Sequence, residues 1–212
     1  MAATQTLHAQ TAPQQTEPGY SWPGQTWQIP TPISNEEYRN TMYHPDCDFV
    51  DGYLEHRRPP EGFYTEQEKK DLFVGEREHS RLQKLLILWL GAHESQWAID
   101  GLPEQLIDAS ATRARVCDVC VLRADAPRES VIQTPPLLCI EILSPKDRLS
   151  RAKIVLEDYR LMGVPHIWLI DPIKRKAWIY DSTGLNEVPA TRLEIPDSPI
   201  YIPLAELLGK ID

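Results

Sequence analysis

The sequence predicts an α/β protein in which a mixed β-sheet is flanked by helices. Short apolar runs such as "RVCDVCVL" and "PPLLCIEILSP" have the length and the β-branched content of buried strands. One amphipathic helical pattern precedes these runs, and a second one separates them from the strand pattern "HIWLIDP". Strand, helix and strand in that order predict a crossover unit within a mixed sheet.

Composition limits the domain organisation and the environment. The chain has 212 residues, 42% of them hydrophobic, which is enough for one domain with a substantial core. Residues 1–32 are rich in Gln, Thr, Pro and Ala without a sustained apolar period, so we predict a disordered arm there and one folded domain over residues 33–212. With no apolar run near the ~18 residues of a membrane span and no signal-peptide pattern, the sequence predicts a soluble, cytoplasmic protein without membrane contact.

Charge limits the contacts with nucleic acid. The net charge is −9, from 22 Lys plus Arg against 31 Asp plus Glu. This balance excludes an overall basic field that would attract phosphate groups. Binding to nucleic acid would therefore depend on a local basic patch.

Helices are predicted from stripes and caps. Ser34 and Glu37 have the spacing of a capping box, which predicts a short helix from about residue 34. Residues 75–94 and 148–162 each form an amphipathic pattern, and Gly163 ends the second. The stripes consist of Leu82, Leu85, Leu86, Trp89 and Leu90 in the first helix, and Ala152, Val155, Leu156, Tyr159 and Met162 in the second. A final short helix is predicted at "LAELLG".

Strands are predicted from alternating and apolar runs. The pair Asp51-Gly52 is a hairpin turn signal between two alternating segments. Further strands are predicted near residues 97–99, 104–107, 116–122, 137–143 and 193–195, and at "HIWLIDP" and "KAWIYD".

Cysteine spacing offers a metal or redox hypothesis that the strand pattern disfavours. Cys117 and Cys120 have C-x-x-C spacing, but residues three apart on a strand point to opposite faces. No second pair follows them, so we predict that the four cysteines are buried thiols.

Two predicted strands each carry a single carboxylate, Asp118 and Glu141. A charge within a buried strand costs several kcal/mol unless it is paired. If the strands are neighbours, both carboxylates can converge on a Mg²⁺ or Mn²⁺ ion, which prefers hard oxygen ligands and supports phosphate hydrolysis. The residue types leave an alternative open, in which each acid reaches solvent at a strand end or pairs with an arginine such as Arg115.

A series of segments resembles the Uma-type family of restriction endonucleases, within the PD-(D/E)XK nuclease superfamily. The segments are "FVDGYLEHR", "GEREHSRLQKLL", "LPEQ", "RVCDVCVL", "TPPLLCIEILSPKDRLSR", "YRLMGVPHIWLIDP" and "KAWIYD". They occur in the family's order from about Ser34 to the C-terminus. The resemblance implies a restriction-endonuclease-like core, a divalent metal and hydrolysis of phosphodiester bonds in DNA.

The resemblance also assigns candidate site residues. Asp118 and Glu141 correspond to the family's catalytic, metal-binding acids, although Cys117 stands where the family has proline before the aspartate. Glu78 resembles an additional metal ligand of some superfamily members, with a solvated acid at a helix N-terminus as the alternative. His79 also stands at a family position, where packing or hydrogen bonding is more common than a general-base role.

The catalytic lysine is the departure from the family pattern. The superfamily position two residues after the glutamate is Leu143, and the helix position used by Uma-type relatives is Val155. Lys153 and Lys146 remain as candidates, and we select Lys153 as the catalytic lysine. Positions 153 and 155 differ by about 200° around a helix, so Lys153 would have to extend inward from the flank.

Together these observations predict a Mg²⁺- or Mn²⁺-dependent endonuclease that acts on DNA. The alternative is a catalytically silent nuclease-fold protein that binds nucleic acid or a protein partner, which the missing lysine favours. A third hypothesis, a metal-dependent hydrolase of small phosphate substrates, requires a deep closed pocket. Family members that cut both strands often pair, so a homodimer is left open.

Overall fold

The computed structural model of the protein describes residues 3–6, 32–44, 47–56, 74–144 and 149–211. Within these ranges the helices are α1 (Asn35–Asn40), α2 (Val74–Gly91), α3 (Glu94–Trp97), α4 (Leu149–Met162) and α5 (Leu204–Leu208). The strands are β1 (Ala3–Thr6), β2 (Thr41–His44), β3 (Cys47–Val50), β4 (Tyr53–His56), β5 (Ile99–Ser110), β6 (Arg113–Arg123), β7 (Leu138–Ile142), β8 (His166–Asp171), β9 (Lys176–Asp181), β10 (Gly184–Val188), β11 (Leu193–Glu194) and β12 (Tyr201–Ile202). None of these helices has the length and apolar character needed to cross a membrane.

An eight-stranded sheet forms the centre of the fold. Its strand order is β10-β9-β8-β7-β6-β3-β4, and β5 pairs with β6 in addition. β7 and β8 are parallel because α4 returns the chain between them, whereas the other neighbours in this sheet are antiparallel. The predicted mixed sheet with a crossover helix is confirmed.

The sheet divides along one edge of β6. β5 pairs with one edge of β6 from residue 113 to residue 123, so β3 and β7 must share the opposite edge of β6. β3 pairs there with residues 113 and 114, and β7 pairs with residues 119–121. Residues 115–118 therefore face a gap between β3 and β7, which we call the fork.

The two long helices cover opposite faces of the sheet. On one face, Leu82, Leu86 and Leu90 of α2 pack with Val119 and Ile140 in one buried cluster, the α2 cluster. On the other face, residues of α4 pack with β6, β7 and β8 in a second buried cluster, the α4 cluster. Its members include Leu156, Tyr159, Cys117, Cys120, Cys139 and Ile167. The amphipathic stripes predicted for both helices thus face separate cores.

The regular alternation of β6 is interrupted at Asp118. Residues two apart on a strand share a face, yet Cys117 lies in the α4 cluster and Val119 in the α2 cluster. β5 is irregular at the same level, because Glu104 has a φ of 52°, which is uncommon for a residue with a side chain. Cys117 and Cys120 consequently share one cluster, and the prediction that they point to opposite faces is wrong. All four cysteines are buried and none forms a disulfide, which confirms the predicted thiols.

Local sequence signals near the start of the described domain are confirmed. The Glu37 N–H donates a hydrogen bond to Ser34 Oγ at 3.0 Å, as expected at the N-cap of α1. Asp51 and Gly52 have φ values of 49° and 88° and form the turn of the β3–β4 hairpin. Both positions need a left-handed backbone, which Asp and Gly tolerate better than most residues.

Other elements differ from the prediction. The strands expected near residues 97–99 and 104–107 are one strand, β5, because its backbone continues through Pro103 and Glu104. β2, β10 and β12 were not predicted, since they are short and lack an apolar run. β1 lies within the predicted arm and pairs in parallel with β2 through backbone groups, which require no apolar period. Residues 7–31 lie outside the described ranges, so the arm boundary stays a prediction.

Candidate active site

Asp118 lies at the fork, where β6 and β7 separate. Its Oδ2 accepts a hydrogen bond from the backbone N–H of Ile142 at 2.8 Å. The next N–H along the chain, that of Leu143 just after β7, donates to the Ile170 carbonyl of β8, so the Ile142 N–H points to the opposite edge, toward β6. The Asp118 carboxylate therefore occupies a position in the plane of the sheet that a strand carbonyl would otherwise fill.

Helix α2 contacts both the side chain and the main chain of Asp118. His79 Nε2 lies 3.1 Å from Asp118 Oδ2, the oxygen that also accepts from Ile142. Gln83 Nε2 lies 2.8 Å from the Asp118 carbonyl oxygen and 2.8 Å from Glu104 Oε1. His79 and Gln83 are four residues apart and share one helix face, so one side of α2 fixes the irregular part of β6.

Glu141 lies beside Asp118 on the neighbouring strand. Val119 pairs with Ile140 in the antiparallel ladder, and the next step away from that pair leads to Asp118 on β6 and Glu141 on β7. The Tyr159 hydroxyl of α4 donates a hydrogen bond to Glu141 Oε1 at 2.7 Å. Burial, followed by the nearby Glu141 charge, raises the pKa of Tyr159 well above its ordinary value, so the hydroxyl keeps its proton.

Glu78 is placed on the side of α2 that faces the sheet, one turn before Leu82. Its Oε2 is buried and has no hydrogen-bond partner among the described residues. A buried carboxylate oxygen without a donor is costly, which distinguishes this position from the solvated acid of the alternative. His79 forms a hydrogen bond, which agrees with the role expected for it.

The structure places the two helix positions considered for the catalytic lysine, 153 and 155, in different surroundings. Lys153 is exposed on the flank of α4 and lines an open cavity of about 460 Å³ together with Arg113 and Glu157. No hydrogen bond or ion pair among the described residues joins Lys153 to Asp118 or Glu141. Val155 packs against the α4 cluster one turn before Tyr159, on the helix face that reaches Glu141. Lys146 lies outside the described ranges.

The fork also holds a second charged group, centred on Arg115. This side chain is almost completely buried and contacts Asp158 at 2.8 Å, Asp48 at 2.9 Å and Glu55 at 3.5 Å. Burial alone would lower the pKa of Arg115, but the three carboxylates raise it above its ordinary value. Because Arg115 contacts these three acids, it is not the partner of Asp118 or Glu141 that the sequence left open.

The donor chemistry at the fork is compatible with Mg²⁺ or Mn²⁺. Among the described residues, no group of three or more His, Cys, Asp or Glu side chains is arranged to hold a metal ion by itself. Mg²⁺ commonly uses one or two carboxylates and completes its shell with water and substrate phosphate oxygens. The carboxylates of Asp118 and Glu141 fit this two-carboxylate mode and not the closed cage of a structural zinc site. Glu78 does not complete a group of three with them.

Sequence reasoning missed the contacts that hold the two acids. Tyr159 was assigned only to an apolar stripe, and Gln83 was not selected at all. A buried tyrosine usually has a partner for its hydroxyl, and this was the available signal. The Gln83 contacts depend on the irregularity at Asp118, which no local pattern indicates.

Comparison with known proteins gives the class of fold first. The chain is similar to a solved structure described as a "putative nuclease belonging to DUF820" from Anabaena variabilis ATCC 29413. The TM-score is 0.66 at 18% sequence identity, and the match covers 85% of this chain and 99% of that chain. This likeness shows a shared mixed α/β fold.

The family follows from the sequence. Residues 71–203 match the model of the Uma2 family, which is described as "Putative restriction endonuclease". The match spans more than half of the 212 residues, and the chain belongs to the Uma2 family. No curated protein matches it. The resemblance inferred from the motifs is therefore confirmed.

Proposed function

We propose that the protein is a metal-dependent endonuclease that hydrolyses phosphodiester bonds of DNA. The observation that supports this most directly is the placement of Asp118 and Glu141 on adjacent strands where the sheet divides. Membership of a family described as a restriction endonuclease, and a fold shared with a protein described as a nuclease, support the same function.

Asp118, Glu141 and Glu78 are the residues that would hold Mg²⁺ or Mn²⁺. Such a cation, when bound, supplies charge stabilisation at the phosphate and a water of lowered pKa. The chain contributes carboxylates whose orientation is restricted before substrate arrives. Asp118 Oδ2 is engaged by Ile142 and His79, and Glu141 Oε1 by Tyr159.

The proposed third catalytic group is Lys153, whose ammonium would offset negative charge on the phosphate or the attacking water. Its exposed position on α4 requires the side chain to extend around the helix toward Glu141. If Lys153 has this role, Lys153→Ala lowers the turnover rate by orders of magnitude while affinity for Mn²⁺ persists. Unchanged turnover in this variant would leave Lys146 as the remaining candidate.

DNA cleavage tests the proposal. Supercoiled plasmid and labelled duplex are incubated with purified protein in Mg²⁺, in Mn²⁺ and with a chelator. We expect cleavage with either cation and none with the chelator, and a decrease on the order of 100-fold or more for Asp118→Asn and Glu141→Gln.

Asp125→Asn is the matched control, because Asp125 is an exposed aspartate just beyond the end of β6. All variants are purified in parallel, so that any contaminating host nuclease is the same in each preparation. Cleavage that persists in Asp118→Asn would remove that residue from the mechanism.

A second candidate function is a catalytically silent protein that binds nucleic acid or a protein partner. Val155 favours it, because an aliphatic side chain occupies the helix face that reaches Glu141, where the resemblance to Uma-type relatives implies a lysine. In that case the wild type is inactive, and Val155→Lys creates metal-dependent cleavage by restoring the ammonium one turn before Tyr159. An active wild type would argue against this candidate.

The proposal includes a possible homodimer, since family members that cut both DNA strands often pair. Sedimentation velocity with and without a DNA duplex tests it. A monomer in both conditions would contradict this part of the proposal.

A further inference from the structure

The two carboxylates of the candidate site are contacted by helices that lie on opposite faces of the sheet. His79 comes from α2 and lies 3.1 Å from Asp118 Oδ2, and Tyr159 comes from α4 and lies 2.7 Å from Glu141 Oε1. Each contact involves one named oxygen of its carboxylate. The two packed layers therefore meet at the fork through side-chain hydrogen bonds.

The contact at Asp118 has a defined donor. A carboxylate oxygen accepts hydrogen bonds, so the Nε2 of His79 carries the proton in this contact. The backbone N–H of Ile142 donates to the same oxygen at 2.8 Å. Two donors on Oδ2 fix the plane of the carboxylate and leave Oδ1 as the oxygen available to a ligand.

The contact at Glu141 is defined in the same way. Tyr159 is completely buried within the α4 cluster, so its ring has little freedom to turn. Its hydroxyl has one proton, which it donates to Glu141 Oε1. The adjacent turn of α4 presents Val155, which has no polar group with which to replace this donor.

We propose that His79 and Tyr159 are positioning residues, each of which binds one oxygen of a carboxylate and so orients that carboxylate for a divalent cation. This inference rests on the proposed function, because it assumes that Asp118 and Glu141 bind the cation. Outer donors of this kind orient metal ligands in many proteins, and their loss typically weakens metal affinity by about 10- to 100-fold.

The experiment measures Mn²⁺ affinity by isothermal titration calorimetry on the full chain, with thermal unfolding of every variant. Tyr159→Phe removes the hydroxyl and keeps the ring. Tyr180→Phe is the matched control. The Tyr180 hydroxyl donates a similar hydrogen bond, 3.0 Å long, to Glu157, which is not one of the candidate acids. We expect Tyr159→Phe to weaken Mn²⁺ binding by about 10-fold or more and Tyr180→Phe to leave it unchanged.

The histidine is tested by two substitutions. His79→Leu removes the donor, whereas His79→Gln places an amide N–H close to the position of Nε2. We expect weaker Mn²⁺ binding with leucine and recovery with glutamine, at similar unfolding temperatures. A purely structural role for His79 would lower the unfolding temperature in the leucine variant without a separate effect on affinity.

The outcomes separate this inference from the proposed function. Wild-type Mn²⁺ affinity in both Tyr159→Phe and His79→Leu would overturn the positioning role, while metal-dependent cleavage by the wild type would still support the nuclease. If the wild type binds no more Mn²⁺ than Asp118→Asn and does not cleave DNA, the proposed function itself fails.

Discussion

Two charged groups share the fork, and the side chains of the two groups have different kinds of partner. Around Arg115, one buried cation is matched by the carboxylates of Asp48, Glu55 and Asp158. At Asp118 and Glu141, the described donors are a backbone N–H, an imidazole and a phenol. An acid whose charge is already matched by arginine has little to offer a second cation. The difference indicates that the Arg115 group stabilises the fold, while the hydrogen bonds described at Asp118 and Glu141 orient the two carboxylates, as the proposed metal site requires.

Removal of Arg115 should give the largest effect. Arg115→Met leaves three buried carboxylates without their cation, and we expect the free energy of unfolding to fall by about 3–5 kcal/mol in urea denaturation. Arg113→Met is the control, because Arg113 also contacts Asp158 but its side chain is 31% exposed. Its loss should cost about 1 kcal/mol or less. Equal losses would show that burial does not distinguish the two arginines.

Replacement of an aspartate by asparagine should change the free energy of unfolding less than removal of Arg115, and by different amounts in the two charged groups. Asp48→Asn weakens the ion pair with Arg115, and we expect a loss of about 2 kcal/mol in the free energy of unfolding. Asp118→Asn can keep an accepting oxygen for Ile142 and His79, so its stability should change by less than about 1 kcal/mol. Denaturation curves of both variants check this, and a greater loss for Asp118→Asn would reverse the assignment of roles.

The exposed pair Glu157 and Arg160 on α4 should give the smallest effect. The Arg160 guanidinium, with the Tyr180 hydroxyl, lowers the pKa of Glu157 to about 2 from an ordinary value of 4.5. Because the pKa of Glu157 is lower in the folded state than in the unfolded state, the ionised carboxylate stabilises the fold above pH 4.5. This stabilisation is lost as the pH falls toward 2. The side chain is 38% exposed, so solvent screening keeps the effect below about 1 kcal/mol.

Glu157→Gln should accordingly reduce stability slightly at pH 7 and have no further effect near pH 2. Unfolding measured at several pH values for wild type and variant checks the sign. A difference that grows as the pH is lowered would contradict the assignment.

Local signals were sufficient for the elements that carry the candidate acids. The strands of Asp118 and Glu141, the stripe of α2 and the turn at Asp51-Gly52 depend on neighbours within a few residues, and all of them were predicted. The relation of the two strands was predicted only conditionally, since pairing depends on contacts distant in sequence. The catalytic role of Lys153 remains a prediction. The sequence places its backbone on the flank of the helix, but it does not determine which group the ammonium contacts.

The division of the sheet could not be predicted. It arises because β3 and β7 share one edge of β6, and their pairing positions are set by packing of the whole domain. The break in alternation at Asp118 is accompanied by the unusual φ of Glu104 on the adjacent strand. The sequence of β6 alone does not indicate the backbone conformation of Glu104 in β5.

The side-chain amide of Gln83 holds the main chain at the candidate site in position. A single side chain joins α2 to the Asp118 carbonyl of β6 and to Glu104 of β5. Displacement of the helix, or straightening of either strand, would break at least one of these bonds. The main-chain geometry of Asp118 is thus fixed by the packing of α2 against β5 and β6, and the phosphodiester of the proposed substrate would meet an acid that is already in place.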